Sequence, residues 1–494
     1  MSDQPRGWVR ATIPDIASII RGISFPKSAR TSSPGPGLVP CLRTTNVQRS
    51  VDWSDLWYVP LEHVKRDEQY LLVGDILISV SNSLELVGKV CPIRHLEGDT
   101  TLGAFISAIR LKPGVDPLFL CHQLDSAMVK QQFRSLASTT TNIANLSNTK
   151  LAQVEISVAP LPEQRRIVSK IEELFSDLDA GLVLLERAQA KLERYRASVL
   201  RAAVEGRLTE AWRRENQQHE TGEELFKRVE VERVRPGNGA YAAGQADGVP
   251  EGWGVTTLGS VLREPLRNGK SARASTTDEG VRTLTLSAVT ERDFSPRNTK
   301  LTVVDPAKVT DLWLEPDDIL IERSNTPELV GLAARYRGKP GYAIFPDLLI
   351  RVRCQKDISP GFAEILLQAP AARRYFRNRA KGSAGSMPKI NQEIISELVI
   401  AVPPKLEQEL IELRVERLLA EANRASEAVG AAVQRSRRIR YSILKRAFEG
   451  RLVPRGPSDE PADVLLDRIR AHREGDPRSN ILEEDGVSQP AMEL

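Results

Sequence analysis

GDILISVSNSLELVGKV (residues 74–90) and DDILIERSNTPELVGLA (residues 317–333) align without a gap and share Asp-Ile-Leu-Ile, Ser-Asn and Glu-Leu-Val-Gly. Trp8 and Trp253 keep nearly the same offset of about 244 residues, which is roughly half of the 494-residue chain. Two further pairs of stretches follow it: ISVAPLPEQ (156–164) with IAVPPKLEQ (400–408), and RYRASVLRAAVEGRL (194–208) with RIRYSILKRAFEGRL (438–452). A repeat of this length predicts two copies of one structural plan.

Each copy changes character at a junction that contains proline, at 160–162 in the first copy and 403–404 in the second. Before the junction, the β-branched runs ILISV, VEISVA, LLIRVRC and ELVIAV predict strands, and LFLCHQLDSAMVKQQFRSL and FAEILLQAPAARRYFRNR predict helices. After it, the chain runs for some 45 residues without proline, which predicts a long helix. The predicted fold class is α+β, with two similar α/β globular domains separated by two long helices.

Both long helices carry an apolar stripe with a seven-residue period, which predicts an antiparallel coiled coil and a pseudo-two-fold relation between the copies. A helix of this length, on the order of 65 Å, extends beyond one small domain and needs a long partner. The alternative is that each helix packs only on its own globular domain. The predicted seam has a first row and a second row three residues later: Ile171, Leu178, Leu185, Leu192 and Val199 with Leu174, Gly181, Ala188, Tyr195 and Ala202, and, in the other helix, Val415, Ala422, Val429, Ser436 and Ile443 with Leu418, Ala425, Ala432, Ile439 and Arg446.

These patterns divide the chain into six parts. The predicted parts are a globular domain over 1–160, a long helix over 161–210, a short helix and flexible connector over 211–250, a second globular domain over 251–403, a second long helix over 404–452, and a tail with a short helix over 453–494.

The composition is that of an ordinary globular protein, with 41% hydrophobic and 27% charged residues. The net charge of +4 neither requires nor excludes nucleic acid as a partner. Four cysteines without a CxxC pair argue against a disulfide scaffold or a zinc site, so unbridged thiols are expected. No apolar run reaches 18 residues and the first residues lack the pattern of a secretory signal, so we expect a cytoplasmic protein without membrane spans.

The sequence lacks the common signatures of an active site. Residues 268–271 (NGKS) resemble only the end of a phosphate-binding loop, no GxGxxG follows a strand, and the five histidines show no metal-ligand spacing. Asp317 and Asp318 could bind a cation, but their position at the entry of a strand favours a turn. We therefore predict no catalytic residue, cofactor or metal in this chain.

Polar loops remain as candidates for contacts with DNA. Arginine, lysine, asparagine and hydroxyl side chains are the groups that bind base edges and phosphates, although such clusters also form ordinary turns. Residues 253–403 carry 22 basic and 17 acidic groups, against 16 and 14 in residues 1–160. The candidate DNA-binding residues are Arg43, Thr44, Thr45, Asn46, Ser81, Asn82, Thr140, Thr141 and Asn142 in the first copy, and Arg323, Ser324, Asn325, Lys381, Ser383 and Lys389 in the second.

The order of the repeated blocks resembles that of the specificity subunits of type I restriction–modification systems, over nearly the whole chain. The blocks that carry the resemblance are LRTTNV (42–47), GDILI (74–78), PLPEQRRIV (160–168), EGRL (205–208), PEGW (250–253) and DEPAD (459–463). The second copy departs at 405–408, KLEQ, where the leucine–proline pair of the first copy is lost.

The resemblance implies a non-catalytic DNA-binding protein of a bacterial defence system. It implies two target recognition domains that each read half of a split sequence in double-stranded DNA, and a helix pair that sets the gap between the halves. The expected partners are two methyltransferase subunits, which bind S-adenosylmethionine, and restriction endonuclease subunits, which use ATP. The competing hypotheses are a coiled-coil adaptor between proteins without sequence readout, and a fused methyltransferase or endonuclease.

Overall fold

In the computed structural model, the repeated Asp-Ile-Leu-Ile motif forms a buried strand at the centre of a sheet in each half of the chain. The structure describes residues 5–140, 143–216, 220–229, 249–382, 387–457 and 459–473. They divide into unit 1, which comprises Met1–Leu185 and Ala431–Leu494, and unit 2, which comprises Glu186–Gly430. Each unit thus contains one globular lobe and a part of both long helices. None of the helices in the described ranges is long and apolar enough to cross a lipid bilayer.

The main sheet of unit 1 is a four-stranded antiparallel sheet built around Ile76–Ser79. All four residues of this strand are buried because it has a neighbour on each edge and is covered on both faces. The strand order is Ala17–Arg21, Ile106–Leu111, Ile76–Ser79, Val90–Pro92. The other sheets are Trp57–Pro60, Leu38–Leu42 and Thr101–Leu102; Ser138–Thr139, Ala144–Asn145 and Ser81–Asn82; and Val9–Thr12 with Glu155–Val158. The short helices are Ile13–Ile16, Pro117–Leu124, Ala127–Leu136, Asn148–Leu151 and, from the tail, Ala462–Arg473.

Unit 2 repeats this sheet around Ile319–Glu322, which is also fully buried. The strand order is Arg267–Asn268, Leu349–Val352, Ile319–Glu322, Ala333–Arg335. Two antiparallel pairs complete the strands, Val281–Leu284 with Thr299–Thr302 and Gly254–Thr257 with Val399–Val402. The short helices are Glu210–Glu215, Gly222–Arg228, Ser287–Thr290, Pro360–Gln368, Pro370–Arg379 and Gln392–Ser396.

The two stretches that we predicted to be helical each form two helices. In unit 1, the first helix ends at Leu124, and Ser126 caps the start of the next one, because its side chain accepts a hydrogen bond from Val129 N–H. In unit 2, Pro370 lacks the N–H that a continuous helix would need, and a new helix begins there. The strands predicted from ILISV, VEISVA, LLIRVRC and ELVIAV are confirmed.

A glycine repeated in both units lets an aromatic ring pack against the backbone. Gly88 has φ 78° and Gly331 has φ 74°, a left-handed conformation that favours glycine. A Cβ atom at Gly88 would lie 2.3 Å from the ring of Phe133, and one at Gly331 would lie 2.6 Å from Cβ of Phe376. Both phenylalanines are fully buried. The repeated motif Glu-Leu-Val-Gly therefore encodes this packing.

The long helices are Leu161–Val204 and Lys405–Phe448, each of 44 residues and offset by 244. The third residue of each helix is a buried glutamate that accepts a hydrogen bond from the repeated tryptophan. Glu163 accepts from Trp8 (3.1 Å), and Glu407 accepts from Trp253 (3.0 Å). The next residue, a glutamine, fixes the lobe to the helix. Gln164 accepts from Asp116 N–H (2.9 Å), as Gln408 accepts from Ser359 N–H (2.7 Å).

The long helices pack against each other in each unit, and they are antiparallel. In unit 2, Ser426 donates to Gln189 (3.0 Å) and Arg196 donates to Asn423 (2.8 Å). Residue numbers therefore rise along one helix in the direction in which they fall along the other. In unit 1, Arg440 lies over the ring of Phe175 at 4.0 Å. The predicted α+β class with two long paired helices is confirmed.

The second row of the predicted seam is only partly confirmed. The first row is at least partly buried in both helices, and Leu174, Gly181, Ala188, Ala202, Leu418 and Ala432 of the second row are half-buried, but Tyr195, Ala425, Ile439 and Arg446 are exposed. The residues one position later are all partly or fully buried: Phe175, Leu182, Gln189, Arg196 and Ala203 in the first helix, and Leu419, Ser426, Val433, Arg440 and Ala447 in the second. Several of these are polar, so an apolar stripe alone could not locate the row.

Candidate nucleic-acid interface

In unit 1, a small three-stranded sheet brings together two of the segments that we predicted to bind DNA. Ser81–Asn82 pairs with Ala144–Asn145, which pairs with Ser138–Thr139. The next residue, Thr140, is exposed and makes the turn, because its N–H (2.8 Å) and its hydroxyl (3.2 Å) both donate to Ile143 O. Thr141 and Asn142 lie outside the described residues. Lys150 donates to the Ser138 hydroxyl at 2.6 Å and adds a positive charge to this surface.

The 43–46 loop approaches this sheet through one shared segment. Leu42 O accepts from Gly103 N–H (2.8 Å), and Phe105 O accepts from Ser81 N–H (3.3 Å). The segment 103–105 thus contacts both the start of the loop and the strand Ser81–Asn82. Phe105 is 65% exposed beside them. The backbone of this segment therefore links the 43–46 loop to the small sheet.

Within that loop the four candidate residues have different environments. Asn46 is buried, its amide nitrogen donates to Asp52 O (2.7 Å) and Asp55 O (2.9 Å), and its oxygen accepts from Arg43 N–H. The Arg43 guanidinium is held by Asp55 and lies 4.5 Å from the centre of the Trp57 ring. Thr44 is half-buried and Thr45 is exposed. Asn46 thus shapes the loop that presents its neighbours.

Unit 2 builds the same arrangement from Ser324, Lys389 and Lys381. Lys389 is bridged on one side to Ser324 and on the other to Lys381, with which it exchanges two backbone hydrogen bonds of 2.9 Å. Arg323 O accepts from Ile390 N–H at 2.9 Å, which aligns the three segments. Both lysines are exposed. Ser383 lies outside the described residues.

The asparagines of the repeated Ser-Asn pair start the turn that follows the strand. Asn82 Oδ1 accepts from Ser83 N–H (2.9 Å), and Asn325 Oδ1 accepts from Thr326 N–H (2.8 Å). Asn325 also donates to the buried Glu322 (2.6 Å). Burial raises the pKa of the Glu322 carboxyl, which also accepts from Thr290. Ser324 is buried, and its hydroxyl has no hydrogen-bond partner among the described residues.

Sequence reasoning missed a row of arginines on the helix Pro370–Arg379. Arg374, Arg377 and Arg379 are exposed and precede Lys381 directly. Arg373 of the same helix donates to Val330 O (2.8 Å) and Glu328 O (2.7 Å), and so ties the helix to the turn after Ser324 and Asn325. Burial, together with the nearby Arg377, lowers the pKa of Arg373 to about 10. The stretch RRYFRNR contains the signal that could have found this row.

The described residues contain no group of three or more His, Cys, Asp or Glu side chains able to hold a metal ion. The turn interpretation of Asp317 and Asp318 is confirmed. Asp317 has φ 71°, where the first copy has Gly74, and Asp318 is buried and bound by Arg353 and by Glu315 N–H. All four cysteines are free thiols, and burial raises the pKa of Cys41 and Cys354 to about 12.

The sequence of the chain is similar to those of known proteins over most of its length. Residues 5–188 match the family model of the type I restriction modification DNA specificity domain. The chain is 29% identical over 481 residues to the type I restriction enzyme EcoKI specificity subunit of Escherichia coli strain K12, covering 95% of this chain and 96% of the relative. The StySPI specificity subunit of Salmonella potsdam is likewise 29% identical, over 484 residues, with the same coverage.

The chain is thus similar to type I restriction–modification specificity subunits along nearly its whole length. The fold agrees with this similarity. A solved chain from work on complex assembly and conformational transition of the type I R-M system superposes with a TM-score of 0.62, at 16% identity, and covers 91% of this chain and all of that chain. In this chain, the candidate surfaces described above occur once in each of the two units.

Proposed function

We propose that the chain is the DNA-reading subunit of a type I restriction–modification complex, and that each unit reads one half of a split sequence. One observation carries this proposal: the same three segments meet at corresponding places in both units, as 81–82, 138–139 and 144–145 in unit 1 and as Ser324, Lys381 and Lys389 in unit 2. Ser138, Thr139, Asn145, Lys381 and Lys389 are exposed, and hydroxyl, amide and ammonium groups are those that bind base edges and phosphates.

The helix pair would fix the number of base pairs between the two halves. Both helices run without interruption from one unit into the other. B-DNA turns once in about 10 to 10.5 base pairs, and a rigid spacer would therefore fix both the distance and the rotation between two reading surfaces. The gap in the recognised sequence is accordingly a property of helix length.

The chemistry would be performed by partner subunits. We infer that two methyltransferase subunits that bind S-adenosylmethionine dock on this chain, one for each unit, and that restriction subunits that use ATP join the complex. The chain itself would be non-catalytic, and its partners and its DNA would meet in the cytoplasm. The similarity to specificity subunits over 95% of the chain supports this assembly.

A selection from random duplexes tests the proposal. The chain assembled with its methyltransferase subunits is expected to enrich duplexes with two short constant blocks separated by a gap of constant length. Scrambling either block should abolish sequence-selective retardation in a gel, because each unit would lose its half-site. An assembled complex that enriches no sequence would instead support the adaptor hypothesis, and methylation or cleavage by the chain alone would support an enzyme.

A further inference from the structure

The two candidate surfaces differ in charge at corresponding positions. The pairing of segments gives the correspondence: Ser81 matches Ser324, Ser138 matches Lys381, and Asn145 matches Lys389. Unit 1 therefore presents two neutral side chains where unit 2 presents two ammonium groups.

The helices before these segments extend the difference. Ala127–Leu136 and Pro370–Arg379 both have ten residues, and Phe133 and Phe376, each packed on its glycine, align them. Arg134 then matches Arg377, whereas the neutral Gln131 matches Arg374 and Leu136 matches Arg379. Unit 2 thus carries four positive charges that unit 1 lacks, at Arg374, Arg379, Lys381 and Lys389, whereas unit 1 carries Lys89 and Lys150 where unit 2 has Leu332 and Ile394. The excess of positive charge in unit 2 is therefore two.

The positive charges of unit 2 are available to a ligand. Arg374, Arg377, Lys381 and Lys389, which we name the unit 2 basic surface, are exposed and form no ion pair within the described part of the chain. In unit 1, Lys130 is paired with Asp125 (2.6 Å) and Arg43 with Asp55, which leaves Lys89, Arg134 and Lys150 as cations near its candidate surface that have no ion pair in the described residues. Unpaired exposed cations release bound counterions from DNA when they contact its phosphates.

We propose that the unit 2 basic surface binds the phosphates of the DNA and supplies most of the salt-dependent affinity, whereas the surface of unit 1, with fewer positive charges, contributes mainly through neutral hydrogen-bonding groups. This inference rests on the proposed DNA-reading function. It assigns the two units different contributions to DNA affinity. Unit 2 binds any duplex through phosphate contacts, and unit 1 adds affinity mainly where its polar groups form hydrogen bonds with matching bases. Each phosphate contact contributes about 0.9 to the slope of log affinity against log salt.

The test replaces three residues of the unit 2 basic surface by their unit 1 counterparts, as Arg374→Gln, Lys381→Ser and Lys389→Asn. Affinity for a mixed-sequence duplex is measured between about 50 and 200 mM salt, with the full-length chain assembled with its methyltransferase subunits. The slope of log affinity against log salt should become shallower by about 2.7, because three phosphate contacts are lost. The factor by which affinity falls between about 50 and 200 mM salt should therefore be about 40 times smaller for the variant than for the unchanged chain. The substituted residues already occur at these positions in unit 1, so folding should be kept, and circular dichroism verifies this.

A unit 1 variant with the same loss of charge is the matched control. Lys89→Gln, Arg134→Gln and Lys150→Gln together should lower the slope by about 1 or less. Equal slopes for the two triple variants, with DNA binding retained, would overturn the division of work and leave the proposed function standing. Failure of the unchanged complex to bind any duplex would overturn both.

Discussion

Removal of residues 455–494 is expected to unfold the lobe of unit 1 and to abolish recognition of one half-site. Leu465, Leu466 and Ile469 of the tail helix are at most 6% exposed and belong to the same core as Ile13 and Ile16. Burying each such side chain contributes about 1.5–3 kcal/mol. Their joint loss is comparable to the whole stability of a typical domain, about 5–15 kcal/mol. Thermal unfolding and limited proteolysis measure the effect.

Polar contacts of the tail would disappear in the same truncation. Asp459, which is 8% exposed, forms an ion pair with Arg166 of the first long helix, and Ala462 N–H donates to Gly7 O (2.9 Å). A chain that ends at Arg473 keeps these contacts and is the control, with an expected unfolding temperature equal to that of the full chain. An unchanged unfolding profile after removal of 455–494 would contradict the described packing of the tail.

Glutamine substitutions at the two matched glutamates are expected to differ in their effect on the free energy of unfolding. Glu407 is buried and accepts hydrogen bonds from Trp253, from Thr209 (2.6 Å) and from the guanidinium of Arg213. Removing one partner of a buried ion pair costs about 3–5 kcal/mol, so Glu407→Gln should lower the free energy of unfolding by about this amount. Urea unfolding monitored in unit 2 measures it.

Glu163 has the same tryptophan contact without a basic partner at hydrogen-bond distance in the described residues, and its Oε2 atom is buried without a partner there. Burial raises the pKa of this carboxyl above its ordinary 4.5. Below pH 4.5 the carboxyl is neutral in both the folded and the unfolded chain. As the pH rises through the raised pKa, the folded state loses stability because ionisation is then more costly in it than in the unfolded chain.

Glu163→Gln keeps an acceptor for Trp8 and carries no charge. The variant should therefore equal or exceed the stability of the unchanged chain near neutral pH, and the difference should vanish in acid. A loss of stability at neutral pH as large as that of Glu407→Gln would show that the two sites do not differ as described.

The repeat in the sequence was sufficient for the main architecture, because its signals are local. The proline junctions and the proline-free runs after them predicted two long helices, and the observed bounds Leu161–Val204 and Lys405–Phe448 keep the offset of 244 residues. The full width of the buried face of the helices was not predictable from apolar spacing. Polar contacts such as that of Gln189 with Ser426 contribute to the second row of the seam, and a pattern of apolar residues does not register them.

The candidate site was only partly predictable, because pairing between distant strands creates it. The sequence marked Ser324, Lys381 and Lys389 individually, but their contact depends on bridges between segments about 60 residues apart. The environment of Asn46 shows a second difficulty. A single amide can bind a base or stabilise its own loop, and the structure uses it within the loop. Which of the candidate residues contact DNA stays a prediction.

The most direct test of the two-unit account is to lengthen both long helices together. One helical turn of about four residues is about 6 Å long, which corresponds to nearly two base pairs at about 3.4 Å each. The insertions belong after Leu185 and after Gly430, where the chain passes from one unit to the other. Selection from random duplexes, or methylation-sensitive sequencing of host DNA, should then show both half-sites unchanged and a gap longer by one or two base pairs. An altered half-site, or an unchanged gap in a folded and active complex, would contradict the account.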